Sequence, residues 1–315
     1  DLSVAADTAR NHGRLLGTLY APSRNLLKMK FDSTLLVINR DRWQATTGLF
    51  TYNTADKTFE IDNVLLSKQE IVTENKTETL VKRLVQLSSK NDITSLVIEN
   101  MPLSDFNYVP TIKNLGISTT VSGNVEIVGL LKEQKITANL NAQKLNFRGQ
   151  GIGDLLLELN KEKNNPIINI TKATVNNKGS YVLDANGTVT LPDKNHKTPQ
   201  INVTANIIEG KLTFLEAFLK GLISKTEGKI LNSKLVIAGD ISKPSFNGSI
   251  GIANGKTTVN YLQTEYFIDN ETIFFKDHDI VFKNVILTDK SAADARKHNK
   301  KANEALLNGA VHLND

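Results

Sequence analysis

The chain alternates between apolar and polar positions. In Ile201-Asn202-Val203-Thr204-Ala205-Asn206-Ile207 every second side chain is apolar and the ones between are polar. That is a period of two, the signature of a strand with one face toward a core. The same period runs through Ile136-Thr137-Ala138-Asn139-Leu140-Asn141-Ala142. It separates Leu155, Leu157 and Leu159 from Leu156, Glu158 and Asn160, and it recurs in the pairs Ile168/Ile170, Leu183/Ala185, Leu235/Ile237, Ile250/Ile252, Ile273/Phe275 and Ile280/Phe282. Turn signals recur at short intervals: Asn53, Asn63, Gly123-Asn124, Gly129, Gly149 to Gly153, Asn176 to Gly179, Asn186-Gly187, Gly239-Asp240, Asn247-Gly248 and Asn254-Gly255. Together these predict an all-β fold of about twenty strands, each of roughly five to eight residues. One-sided alternation suits sheets wetted on one face. It fits both a two-sheet sandwich and one long curled sheet, and it leaves strand direction open.

A few segments break the alternation. Thr79 to Ser88 carries Leu80, Val81, Leu84, Val85 and Leu87 on one helical stripe. Leu212 to Ser224 places Leu212, Leu215, Leu219 and Leu222 at helical spacing, which predicts a helix that covers the groove or the end of the sheet. Ser104 to Val109 reads as one short turn, capped by Ser104 and stopped by Pro110. Ala292 to Leu307 favours helix by propensity and is basic, with Asn308-Gly309 as its stop.

Two stretches match at an offset of 110 residues, Val125 to Ala142 and Leu235 to Ile252. Ile127 aligns with Ile237, Gly129 with Gly239, Ile136 with Phe246 and Leu140 with Ile250. Each stretch follows a segment with a Leu-Ser or Leu-Thr start and helical spacing. The unit reads short helix, strand, Gly turn, strand, which suggests an array whose neighbours bury one another's apolar faces. Two generic β-hairpins would also look this alike.

Composition narrows the function classes. The 315 residues are 40% hydrophobic and 23% charged, too apolar for a disordered chain. Lys plus Arg number 38 against 33 Asp plus Glu, a net +5 that is small for this length and makes no case for nucleic acid. Cysteine is absent, which excludes disulfides, Cys-based zinc sites and a thiol nucleophile. No run of about 18 apolar residues is present, so no segment reads as a membrane-spanning helix. The chain starts without Met and without a signal-peptide pattern, and we read it as a fragment or processed product. Asn makes up about 11% of the chain, which suits turns because Asn tolerates left-handed backbone.

Enzymatic chemistry finds little support. None of the five His residues sits at metal-ligand spacing. Asp277-His278-Asp279 reads as a hydrated turn, and Gly149 to Gly153 as a strand junction rather than a phosphate cradle. No cofactor and no metal site is expected. The basic run Arg296 to Lys301 reads as a solvated loop, with anionic lipid as the other reading.

Gly239 to Lys290 reads GDISKPSFNGSIGIANGKTTVNYLQTEYFIDNETIFFKDHDIVFKNVILTDK. Its pattern G-x-I-x-x-P-x-x-x-G-x-I-x-I-x-N-G, followed by the Tyr261-Leu262, Tyr266 to Ile268 and I-x-F strands and by L-T-D, resembles the C-terminal domain of the TamB family. Earlier, NMPLSDFNYVPTIKNLGISTTVSGNVEIVG resembles that family's preceding unit, and GIGDLLLEL, Gly151 to Leu159, resembles its Gly-Asp-Leu strand. The likeness covers Ile98 to Lys290, and the tail SAADARKHNKKANEALLNGAVHLND departs from it. It divides the chain into residues 1–97 (β-rich and unplaced), a first unit 98–206, a second unit 207–290, and 291–315 as a basic insertion with a final strand.

The resemblance implies an elongated curled sheet, a β-taco or open groove with an apolar interior and a few short helices, as in AsmA-like bridge-type lipid transfer proteins. It implies a periplasmic, non-enzymatic protein, inner-membrane anchored at full length, that carries phospholipid acyl chains between membranes. It also implies a role in outer-membrane protein assembly beside a barrel partner of the TamA/BamA type. The expected groove lining is Ile127, Ile136, Leu140, Ile168, Ile201, Val203, Ile237, Ile250, Ile252, Ile273, Phe275 and Phe282. The alternative is a scaffold that pairs its sheet edge with barrel strands and carries no lipid.

Overall fold

The computed structural model describes residues 2–7, 12–32, 34–38, 41–46, 48–74, 77–106, 116–131, 133–194, 197–219, 221–290, 294, 298 and 302–313. The fold is all-β, as the alternation predicts, with 21 strands among the described residues. Every described strand pairing is antiparallel, which answers the question of strand direction that periodicity leaves open. The chain divides into two compact units. One comprises residues 1–108, 119–142 and 158–165, the other residues 109–118, 143–157 and 166–315.

The first unit contains β1 (Leu2–Asp7), β2 (His12–Ser23), β3 (Leu26–Phe31), β4 (Thr34–Ile38), β5 (Asp41–Ala45), β6 (Gly48–Asn53), β7 (Thr58–Glu74), β8 (Thr77–Lys90) and β9 (Ile93–Pro102), with most of β10 (Ile117–Val128). Strands β6 to β10 form a meander of consecutive antiparallel neighbours. On β5, Trp43 and Ala45 are buried while Arg42 and Gln44 are exposed, the alternation of period two made visible. Phe50 and Phe59 stack with centroids 5.9 Å apart. Thr94 and Ser89, both buried, satisfy each other through a 3.1 Å hydroxyl bond.

Two helical expectations fail here in an instructive way. Thr79 to Ser88 is not helical. It lies in β8 and pairs on both sides, Leu66 with Val85 across to β7 and Leu87 with Leu96 across to β9. A ten-residue helix gains only tenths of a kcal/mol per residue from propensity, and two waiting strands supply a complete set of backbone partners. Of Ser104 to Val109, the described part lies in a single 3-10 turn, Leu103–Phe106. The rest lies outside the described residues.

The second unit is built from the later part of β11 (Lys135–Phe147), most of β12 (Gln150–Lys161), then β13 (Ile167–Asn177), β14 (Tyr181–Thr190), β15 (Gln200–Lys211), β16 (Ile223–Asp240), β17 (Ser245–Val259), β18 (Thr264–Ile268), β19 (Glu271–Lys276), β20 (Asp279–Thr288) and β21 (Glu304–His312). Strands β13 to β17 follow one another as antiparallel neighbours. The long β17 pairs with β19 along its first half and with β18 along its second. β20 then joins β19 to β21. The C-terminal helix expected over Ala292 to Leu307 gives way to strand at its end, where Leu307 pairs with Val285 and Glu304 with Thr288. Most of the basic run before it lies outside the described residues.

Many strands are longer than expected, up to 18 residues in β16. The turn signals at Asn63, Asn186-Gly187, Asn247-Gly248 and Asn254-Gly255 fall inside strands rather than between them. Several left-handed residues mark bulges. Asn63, Asn232 and Asn284 have φ of 49°, 47° and 51°, each where the ladder with the next strand shifts by one residue. The asparagine richness thus serves bulges as well as turns. Each bulge moves the inward face to the other parity. On β16 the buried residues run from Ile230 to Ser233 and Leu235, and on β20 from Ile280 to Val285.

The segment after β15 is helical only from Leu212 to Ala217, as a 3-10 run, and β16 begins at Ile223. Its apolar spacing nevertheless does what the sequence predicts, because Leu212, Leu215 and Leu219 are all buried in the main core. Polar bonds hold it on two sides. Thr213 bonds the Tyr181 side chain, and the Glu216 carboxylate accepts the Thr226 N–H at 2.7 Å.

Candidate functional site

The antiparallel register of the second unit lines inward residues into rows that cross the strands. One row runs Ala173, Ala185, Ala205, Leu235, Gly248, Phe275, Ile280, Val311 from β13 to β21. Its neighbour runs Ile170, Gly187, Val203, Ile237, Phe246. The next runs Val175, Leu183, Ile207, Ser233. Side-chain size changes along these rows. Over β13 to β15 the residues are small, three alanines and a glycine. From β16 onward Leu235, Phe275 and Ile280 fill the space.

That change in size decides where the interior is open. The small-residue side faces a cavity of about 400 Å³, within the roughly 300–1,000 Å³ of small-molecule sites. It is walled by Leu145, Ile152, Ala173, Ala185, Val203, Ala205, Ile237 and Phe246 among others. The large-residue side is closed. There Ile230, Ile250, Ile273, Ile280 and Val285 are at most 2% exposed, packed with Leu212, Leu215 and Leu219.

A chain of phenylalanines separates the two. Phe214 and Phe218, from the Leu212–Ala217 run and the residue after it, meet at 5.1 Å between ring centroids. Phe147 lies 5.9 Å from both, and Phe218 continues to Phe246 at 5.4 Å and Phe275 at 6.2 Å. Edge and tilted contacts of this kind suit the charge distribution of the rings. The segment between β15 and β16 therefore plugs one part of the interior and forms a wall of the other.

Of the 24 residues lining the cavity, only Arg148, Ser242, Lys243 and His278 are polar, and none is a carboxylate. All four come from hairpin turns: Arg148 between β11 and β12, Ser242 and Lys243 between β16 and β17, His278 between β19 and β20. The walls come mainly from strands. The Arg148 guanidinium lies over the Phe147 ring at 5.5 Å and the Phe218 ring at 5.8 Å. The turn bearing Ser242 is held by Asp240, whose carboxylate accepts the Ser242 N–H at 2.8 Å, the Ser242 hydroxyl at 2.6 Å and the Thr198 hydroxyl. These bonds, Ser242 first, hold the Asp240 carboxyl below its ordinary range. Burial pushes the Tyr181 phenol above its usual value, partly offset by the Thr213 bond.

The twelve residues expected to line a groove fall into four places. Val203 and Ile237 line the cavity as a cross-strand pair. Ile168 and Ile201 both face Val189 across the ladders, on the row beside Val203. Ile250, Ile252, Ile273 and Phe275 are buried in the closed core, with Phe282 packed against it. Ile127, Ile136 and Leu140 belong to the first unit, half-buried. The cavity residues that sequence reasoning missed are the alanines and the Phe214–Phe218 pair. The alanines share the parity of their strands, yet a small residue carries a weak apolar signal. The phenylalanines lie off the leucine stripe that drew attention to their segment.

No family model, curated protein or solved structure matches the chain.

Proposed function

We propose that this chain is a lipid-carrying segment of a TamB-like envelope protein, a non-enzymatic apolar groove for phospholipid acyl chains in the periplasm. The observation that carries the reading is the row of small inward residues that leaves an apolar cavity against the sheet of the second unit. An acyl chain is worth about 0.8 kcal/mol per CH₂ removed from water, so a sixteen-carbon tail outside lipid costs roughly 12 kcal/mol. A protein lowers that cost only with a wall of apolar side chains that has no unmet polar group of its own. Rows of registered alanine, valine and isoleucine supply such a wall, since the backbone polar groups are paired in the ladders. Inner-to-outer membrane transport, an anchor elsewhere in the protein, and a barrel partner of the TamA/BamA type belong to the same proposal and rest on the sequence resemblance.

The test is a photoreactive phospholipid with a diazirine near the end of its acyl chain, incubated with the purified chain and mapped by peptide mass spectrometry. Labelling of peptides containing Ala185, Val203, Ala205 and Ile237 is the expected result. Labelling spread over the exposed faces of the strands would remove the groove, and bound unfolded barrel peptide in place of lipid would favour the edge-pairing scaffold.

A further inference from the structure

The cavity has a second character besides its apolar wall. Its polar groups are confined to hairpin turns, they include two cations, and no carboxylate accompanies them. Arg148 is exposed and makes no ion pair among the described residues. Its position is nevertheless fixed. It has left-handed φ of 48° in the β11–β12 turn, its N–H donates to the Gly116 carbonyl at 2.7 Å, and its guanidinium rests on two phenylalanine rings.

A guanidinium held against aromatic faces keeps its planar fork of donors ready for an oxyanion. Lys243 lines the same cavity from another turn, beside the Ser242 hydroxyl. Arginine with a nearby lysine and hydroxyl is a donor set for phosphate, and charge-assisted bonds to it are the strong ones.

Resting on the acyl-chain reading above, we infer that this cavity selects anionic amphiphiles, with the chain along the small-residue rows and a phosphate headgroup held at the turns by Arg148 and Lys243. Arg148 is the specificity residue and the apolar wall supplies the affinity common to all acyl ligands. A neutral lipid of equal chain length gains the wall and not the clamp.

The experiment compares 1-oleoyl lysophosphatidic acid with 1-monooleoylglycerol, which share chain and glycerol and differ by the phosphate. Binding to the full chain is followed below the micellar range by intrinsic fluorescence or calorimetry, with inorganic phosphate alone as a headgroup control. The phosphate-bearing lipid is expected to bind about tenfold tighter or more, with the gap shrinking as salt rises. Arg148→Gln should close most of that gap and leave monooleoylglycerol binding unchanged, and Arg148→Lys should restore part of it. Circular dichroism confirms that both variants are folded.

Equal binding of the two lipids to the native chain, or an undiminished gap in folded Arg148→Gln, would overturn the headgroup assignment while leaving the apolar groove intact. Phosphate competing as well as the full lipid would also overturn it, since the clamp would then act without the cavity. Binding of neither lipid would remove the acyl-chain reading itself, and this inference with it.

Discussion

Ala205 faces Ala185 across the β14–β15 ladder, and the same row continues to Leu235 on one side and Ala173 on the other. Two methyl groups meet where the rest of the interior sets leucine, isoleucine or phenylalanine. The empty space beside them is a consequence of side-chain volume at two registered positions. No loop or hinge is needed to make it.

Filling that space should separate stability from occupancy. Ala205→Leu adds three carbons toward the cavity, worth about 1–2 kcal/mol if they pack without strain. Urea denaturation should show a gain of that order, or near zero if crowding intervenes. Lipid crosslinking at Val203 and Ile237 should fall in either case. A stabilised variant with full lipid labelling would place the acyl chain elsewhere.

Charge tests the same wall differently. Ile237→Asp puts a carboxylate on the cavity side of β16, with several kcal/mol of desolvation to overcome beside an acyl chain. Asn202→Asp, on the exposed face of β15, carries the same charge into water. Lipid occupancy measured by native mass spectrometry should drop steeply in the first variant and stay near native in the second. Edge pairing to a barrel strand uses backbone groups and would be blind to both.

Gly248 sits inside β17 at φ 140°, opposite Leu235 and Phe275. A Cβ there would lie 2.1 Å from the Lys234 carbonyl oxygen. Gly248→Ala is therefore expected to cost about 1–3 kcal/mol, from backbone strain and the displaced ladder. The readout is the midpoint of chemical denaturation, and a change below half a kcal/mol would mean that the two strands are not this close.

Asp240 gives the turn at the cavity mouth a pH dependence. Its carboxyl is held below the ordinary range by hydrogen bonds from Ser242 and Thr198. A folded value below the unfolded one contributes order that is complete above the usual carboxylate range and is lost as pH falls through the depressed value. Exchange protection of the Ser242 amide should thus hold at neutral pH and fail only in acid. Asp240→Asn should weaken protection at neutral pH and flatten its acid dependence.

The fold was legible because alternation is a direct imprint of the pleat, and the runs around Ala205 and Ala138 show it without interruption. What misled was local and physical. The stripe over Leu80, Leu84 and Leu87 has helical spacing, yet β7 and β9 take both backbone edges of that segment. Asn-Gly pairs look like turns, and Asn186-Gly187 and Asn247-Gly248 instead lie within strands. The site was half legible. Parity finds Val203 and Ile237, but it cannot tell an open row from a filled one. That depends on what stands across the trough, and the Leu212–Ala217 run fills the part that Ile250, Ile273 and Phe275 occupy.

The left-handed asparagines inside the strands have a consequence for how such a chain tolerates insertions and deletions. In an unbroken strand, one added residue throws every later side chain onto the wrong face. At Asn232 or Asn284 the ladder already absorbs an extra residue and resumes with the interior apolar on both sides. Length changes of one residue at such points need not disturb the interior. Two chains of this architecture can therefore lose their shared numbering strand by strand while keeping the same walls.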